Sequence, residues 1–133
     1  MGETEGRMMK PETIGRAIGA ASLAFGIADI ALGRRLGHGI GAGAEMGGRL
    51  FRIAGAREVA TGVAGLLAPG SAAPVRWRLA GDAFDLAALA YIAAPANPRR
   101  KMALLALGVV AGVALADFLG SRALDKGPDK GLE

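Results

Sequence analysis

Eight charged side chains lie within, or at the edges of, otherwise apolar stretches of this chain: Asp29, Glu58, Asp82, Asp85 and Asp117, with Arg52, Arg57 and Arg78. Carboxylates and guanidiniums in apolar surroundings can lock neighbouring helices in register, hold a proton, or hold a cation. The densest arrangement is RLAGDAFDLAAL, residues 78–89. On a helix its steps of four, three and four place Arg78, Asp82, Asp85 and Leu89 on one face. In a second segment Gly55, Glu58, Gly62 and Gly65 share a face at steps of three, four and three, with Arg57 about 100° around the helix from Glu58. A glutamate inside a glycine stripe is expected to face other helices. Five acids against three bases leave two negative charges in excess, so some carboxyls hold protons or a cation is bound. Asp82 and Asp85, one turn apart, are the expected pair to share a proton. The simplest role is structural, with Arg57 and Arg52 tying the second helix to Asp82 and Asp85 on the third. The functional alternative is a proton or cation site, or a polar ligand pocket.

Other chemistries find little support. There is no cysteine and a single histidine, His38, which removes disulfides, thiolate metal sites, histidine metal clusters and histidine-dependent triads. Residues 36–48, LGHGIGAGAEMGG, are glycine-rich but contain neither GxGxxG nor GxxxxGK[ST]. A flexible connector is expected there. No nucleophile–base pair is visible, and no catalytic residue, metal or cofactor is expected. The calculated pI is near 10.1, yet the net charge is only +4 and the basic residues sit at the ends of apolar segments. That placement fits membrane interfaces better than nucleic acid.

The elements that must position these charges are four apolar segments, expected as helices over about 14–33, 49–68, 75–94 and 102–124. Polar tails, 1–13 and 125–133, are expected to be disordered. The start MGETEG lacks the Ser or Thr of a myristoylation signal, and the acidic lead-in with Asp29 disfavours a signal peptide. All six prolines fall outside the apolar segments or at their ends. Hydrophobic residues make up 52% of the chain, and residues 102–116 run without one polar side chain. Between residues 17 and 28 only Ser22 is polar. Soluble bundle helices would instead carry a wide polar face. The expected fold is therefore all-α, a four-helix transmembrane bundle with short loops. Small residues four apart recur in the first helix (Gly15 and Gly19, Ser22 and Gly26) and in the last, where Gly108, Gly112, Ala116 and Gly120 form a stripe with a GxxxG motif. Trp77 is placed for a membrane interface.

With four spans, one side would carry Arg7, Lys10, Arg16, Arg76, Arg78, Arg122, Lys126 and Lys130. The other would carry Arg34, Arg35, Arg49, Arg52, Arg99, Arg100 and Lys101. Eight against seven sets no orientation by the positive-inside rule.

Three runs carry a family resemblance: RIAGAREVATGVAGLL (residues 52–67), RWRLAGDAFDLAAL (76–89) and GVALAD (112–117). Together they resemble a group of small bacterial membrane proteins with four expected spans, often labelled cyclase/dehydrase-like. The shared pattern falls on Arg52, Gly55, Arg57, Glu58 and Gly62, then Arg78, Gly81, Asp82, Asp85 and Leu86, then Asp117. The resemblance implies a bacterial inner-membrane protein without an assigned activity; the enzymatic label belongs to a soluble domain for which this chain has no room. Asp29 stands where those proteins tend to have glutamate, and Arg76 where an aromatic is usual. The expected function is that of a structural or accessory membrane protein, surrounded by lipid and self-associating or bound to a larger membrane complex, with no nucleic-acid partner. The alternative is a small proton- or cation-coupled transporter using Glu58, Asp82 and Asp85. Acid/base catalysis on a lipid by these carboxylates ranks third.

Overall fold

The structure, a computed structural model, describes residues 9–126. They form four helices: α1 (Pro11–Gly39), α2 (Ala44–Leu67), α3 (Ala73–Ile92) and α4 (Arg100–Asp125). Among the described residues there is no strand. Each helix packs on the next and α4 returns to α1, an up-down-up-down bundle closed by connections 40–43, 68–72 and 93–99. Pro11 and Pro74 sit in the first turns of α1 and α3, where a missing N–H costs nothing.

The α1–α2 pair is the most intimate. As the number rises on α1 it falls on α2: Gly19 faces Gly62 and Gly65, Gly26 faces Gly55 and Val59, Gly33 faces Gly48 and Arg52, and Gly37 faces Gly47. This is an antiparallel seam of glycines. A methyl group on Gly26 would stand 2.7 Å from the Gly55 carbonyl oxygen, and one on Gly62 2.8 Å from that of Gly19. Only backbones without Cβ atoms can approach so closely.

This seam corrects two sequence expectations. Helix one does not end at residue 33, and 36–48 is not a connector: only 40–43 is non-helical, and α2 begins five residues earlier than expected. Gly37, Gly47 and Gly48 continue the seam as helix-packing positions, while Gly41 and Gly43, at φ of 82° and 84°, make the turn. α3 and α4 lie within two residues of the expected bounds. The expected disordered tails lie mostly outside the described residues, and their inner ends, Pro11 and Asp125, belong to α1 and α4.

The bundle is inside-out in polarity. The buried set comprises glycines, a few apolar residues and Ser22, Glu58, Arg78, Asp82, Asp117 and Ser121, and the largest wholly buried side chain is Ser22. Phe25, Ile27, Ile53, Leu67, Phe84, Leu105, Val109, Leu115 and Leu119 are exposed. An apolar core cluster, Ile40, Leu89, Ala93 and Ala103, sits at the end of the bundle where connections 40–43 and 93–99 meet. There Asn97 Nδ2 donates to the carbonyls of Ile40 (2.8 Å) and Ile92 (2.7 Å), clipping the two connections together. Helices α1 and α4 are long and apolar enough to cross a membrane; α2 and α3 do not reach that mark.

Candidate functional site

One guanidinium joins all four helices. Arg78, on the inner face of α3 and 4% exposed, places Nε 2.5 Å from Oδ2 of Asp117 on α4 and an Nη 3.3 Å from Oε2 of Glu58 on α2. The same Nη reaches the Ile18 carbonyl of α1 at 3.4 Å. Glu58 and Asp117 are themselves 6% and 3% exposed, so these charges attract each other with little solvent screening. On the α1 side Ser22 Oγ lies 2.6 Å from Glu58 Oε2 and 2.8 Å from the Glu58 carbonyl, its one proton serving one acceptor at a time. Thr61, one turn on from Glu58, hydrogen-bonds the carbonyls of Arg57 and Glu58, both at 3.1 Å.

A second pair lies nearer the surface. Arg57 presents its fork to Asp85, with Nη–Oδ distances of 2.6 and 3.4 Å, and one Nη is 3.8 Å from Glu58 Oε1. The guanidinium lies against Gly81, where a Cβ would collide with it. Glycine at this position is what lets an α2 arginine reach an α3 aspartate across the interface.

Asp82 is 3% exposed and lies beside Asp117 and Arg78 rather than pairing with Asp85. Its Oδ2, like Arg57 Nε, is buried without a hydrogen-bond partner. Asp29, half-buried on the α1–α2 seam, stands near Glu58, Asp85 and Arg57 without a direct ion pair. Arg52 does not join this interior. It is exposed and makes no ion pair: its backbone faces Gly33 across the α1–α2 seam while the residue itself stays at the surface. The expected tie from Arg52 to Asp82 or Asp85 is therefore absent, and the excess of acids over bases inside rises from two to three. A cavity of about 10 Å³ beside Ser22, Thr61 and Val75 has room for one water. No group of three or more histidine, cysteine, aspartate or glutamate side chains is placed to hold a metal among the described residues.

The small-residue stripe of α4 divides. Gly108 and Gly112 face open space and Ala116 is exposed, whereas Gly120 is buried against Ile18 of α1. Ser22 is the participant that sequence reasoning passed over. The sequence marks it as a small residue and as the sole polar side chain of residues 17–28, but assigns it no partner. The arrangement can hold charge, hold helix register and accommodate a proton.

No family model, curated protein or solved structure matches the chain.

Proposed function

We propose that this chain is an integral membrane protein of the bacterial plasma membrane whose four helices all span the bilayer, and that it serves as a structural or accessory bundle held by an intramembrane network of arginines and carboxylates. The inside-out distribution of side chains carries this reading: leucine, isoleucine and phenylalanine coat the outside, while the fully ionic groups fill the centre. Water would penalise that coat and lipid accepts it. Of the charges on α2 and α3, Arg57, Glu58, Arg78 and Asp85 pair within the bundle, which removes most of their cost in the bilayer. Between Arg16 and Arg34, α1 spans about 27 Å, and between Lys101 and Arg122, α4 spans about 31 Å, close to the roughly 30 Å hydrocarbon thickness. Trp77 and Tyr91, 72% and 83% exposed, mark opposite ends of α3 at the levels where interfacial aromatics belong. The motif resemblance to four-span membrane proteins points the same way. The outward face of Gly108, Gly112 and Ala116 is the surface on which copies would associate. The test is membrane fractionation followed by an alkaline carbonate wash. The protein is expected in the pellet; release into the supernatant would overturn the reading.

One observation favours a second reading, a small proton-coupled carrier: the interior holds three more carboxyl groups than guanidiniums, and a buried oxygen of Asp82 lacks a donor. On this reading Asp82→Asn, assayed in proteoliposomes with an internal pH dye, abolishes proton flux and leaves thermal stability intact. Loss of folding instead would assign Asp82 a structural role.

A further inference from the structure

Seven basic side chains surround the end of the bundle closed by connections 40–43 and 93–99: Arg34 and Arg35 on α1, Arg49 and Arg52 on α2, and Arg99, Arg100 and Lys101 at the start of α4. All seven are exposed and none forms an ion pair. Arg100 uses Nε to close the last turn of α3 on the Ala93 carbonyl, 3.0 Å away, which leaves its terminal amino groups unbonded. Glu45 is the one acid at this end among the described residues. At the opposite end the described residues offer Lys10, Arg16, Arg76, Arg122 and Lys126 against Glu12 and Asp125, and Arg76 is bound to Asp125 at 2.6 Å. Among the described residues one end thus carries a surplus of six positive charges and the other three. Burial of Arg78 strengthens this contrast by taking that charge away from the less basic end.

We infer that this seven-residue basic rim is a docking surface for the headgroups of anionic phospholipids, so that the 40–43 and 93–99 end lies in the anionic leaflet. The inference rests on the membrane reading above. The rim's shape selects lipid over a soluble polyanion. Arg34, Arg35, Arg49 and Arg52 sit on the flanks of α1 and α2, one to three turns from the connections rather than on the end face. Immediately beyond them, toward the middle of the bundle, are exposed Ile30, Leu32 and Ile53, and beyond Lys101 are Leu104 and Leu105. A guanidinium set above an apolar helix flank matches a phosphate set above an acyl chain. The site is also held in place: Asn97 fastens the two connections, and α4 begins at the rim with no acidic residue in its first turn, so its N-terminal N–H groups add to the positive field.

The test exploits Trp77, the only tryptophan. The wild-type protein reports lipid at the opposite end, and a Tyr91→Trp, Trp77→Phe protein reports lipid at the rim. Each is reconstituted into phosphatidylcholine vesicles containing a minority of phosphatidylglycerol, with one or the other lipid brominated on its chains as a quencher. At position 91 phosphatidylglycerol is expected to be favoured over phosphatidylcholine by about fivefold or more, as follows from a few basic side chains at a membrane surface. The preference should fall to parity when Arg34→Gln, Arg35→Gln, Arg49→Gln and Arg52→Gln are combined, changes that touch only exposed, unpaired groups. At position 77 it should be close to parity throughout. Equal quenching by both lipids at position 91 overturns the proposal, as does a preference that inorganic phosphate or RNA removes at matched ionic strength. Absence of quenching by either lipid at both positions would instead remove the membrane reading, and the rim proposal with it.

Discussion

Arg78→Leu is expected to destabilise the bundle by about 3–5 kcal/mol, the usual consequence of removing one partner from a buried ionic network. The substitution leaves Glu58, Asp82 and Asp117, each at most 6% exposed, without the guanidinium that two of them contact directly. It also strips the Ile18 carbonyl of a donor. Little solvent reaches this site, so the loss is not softened by screening as it would be at the surface. Adding Glu58→Gln and Asp117→Asn to Arg78→Leu should recover most of the loss, since the damage comes from unpaired charge rather than from a missing shape. Arg52→Leu should cost nothing measurable, because Arg52 is exposed and unpaired. Denaturant unfolding in detergent micelles, followed by Trp77 fluorescence, compares the three. Equal stability of the Arg78→Leu and Arg52→Leu proteins would show that the network contributes nothing.

A second large effect is expected at the glycine seam. Gly26→Ala places a methyl group 2.7 Å from the Gly55 carbonyl oxygen and from the Val59 amide nitrogen, both of them backbone atoms that cannot swing aside. α1 and α2 must separate, at a cost of about 1–3 kcal/mol for overpacking, and the 2.6 Å contact between Ser22 and Glu58, one turn away, lengthens with them. Gly26→Leu should abolish folding. On α4 the same change has the opposite sign. Nothing lies within 4 Å of a Cβ at Gly108 or Gly112, so Gly108→Ala should be neutral or stabilise by up to about 1 kcal/mol through helix propensity. Gly112→Leu should leave the monomer's stability unchanged and reduce only chemical crosslinking between copies. If Gly26→Ala and Gly108→Ala behave alike, the seam is not a close-packed contact.

Patterns internal to one helix were legible in the sequence, whereas relations between helices were not. The face shared by Arg78, Asp82 and Leu89 is buried, and so is the face of Gly55, Glu58, Gly62 and Gly65, because helical periodicity is a local property. Which acid meets which base depends on the relative heights of two helices, and nothing in the chain displays those heights. Arg57 reaches Asp85, but Arg78 reaches Asp117, which is 39 residues away in sequence. Arg52 and Arg57 look equivalent as letters, yet the five-residue step between them sets them about 140° apart around α2, and only Arg57 lies against Gly81. Glycine misled most at 36–48. Its abundance suggested a loop, while its spacing was serving a helix interface, and only Gly41 and Gly43 use the backbone freedom that composition alone would suggest.

The pairing pattern has a consequence for how such a chain is made. α1 and α2 emerge first and bring Asp29 and Glu58 with only Arg57, whose fork is occupied by an aspartate that has not yet been synthesised. α3 and α4 then bring Asp82, Asp85 and Asp117 with only Arg78, half of whose work is to meet Glu58. Each hairpin pairs part of its interior charge, Arg57 near Glu58 and Arg78 against Asp117, yet each keeps more acids than bases; in the membrane proposed above, an orphaned half would carry those excess carboxyls without a partner. Under that proposal the ion pairs that join the two hairpins would double as a completeness check during biogenesis, each half being acceptable to a bilayer only in the other's company.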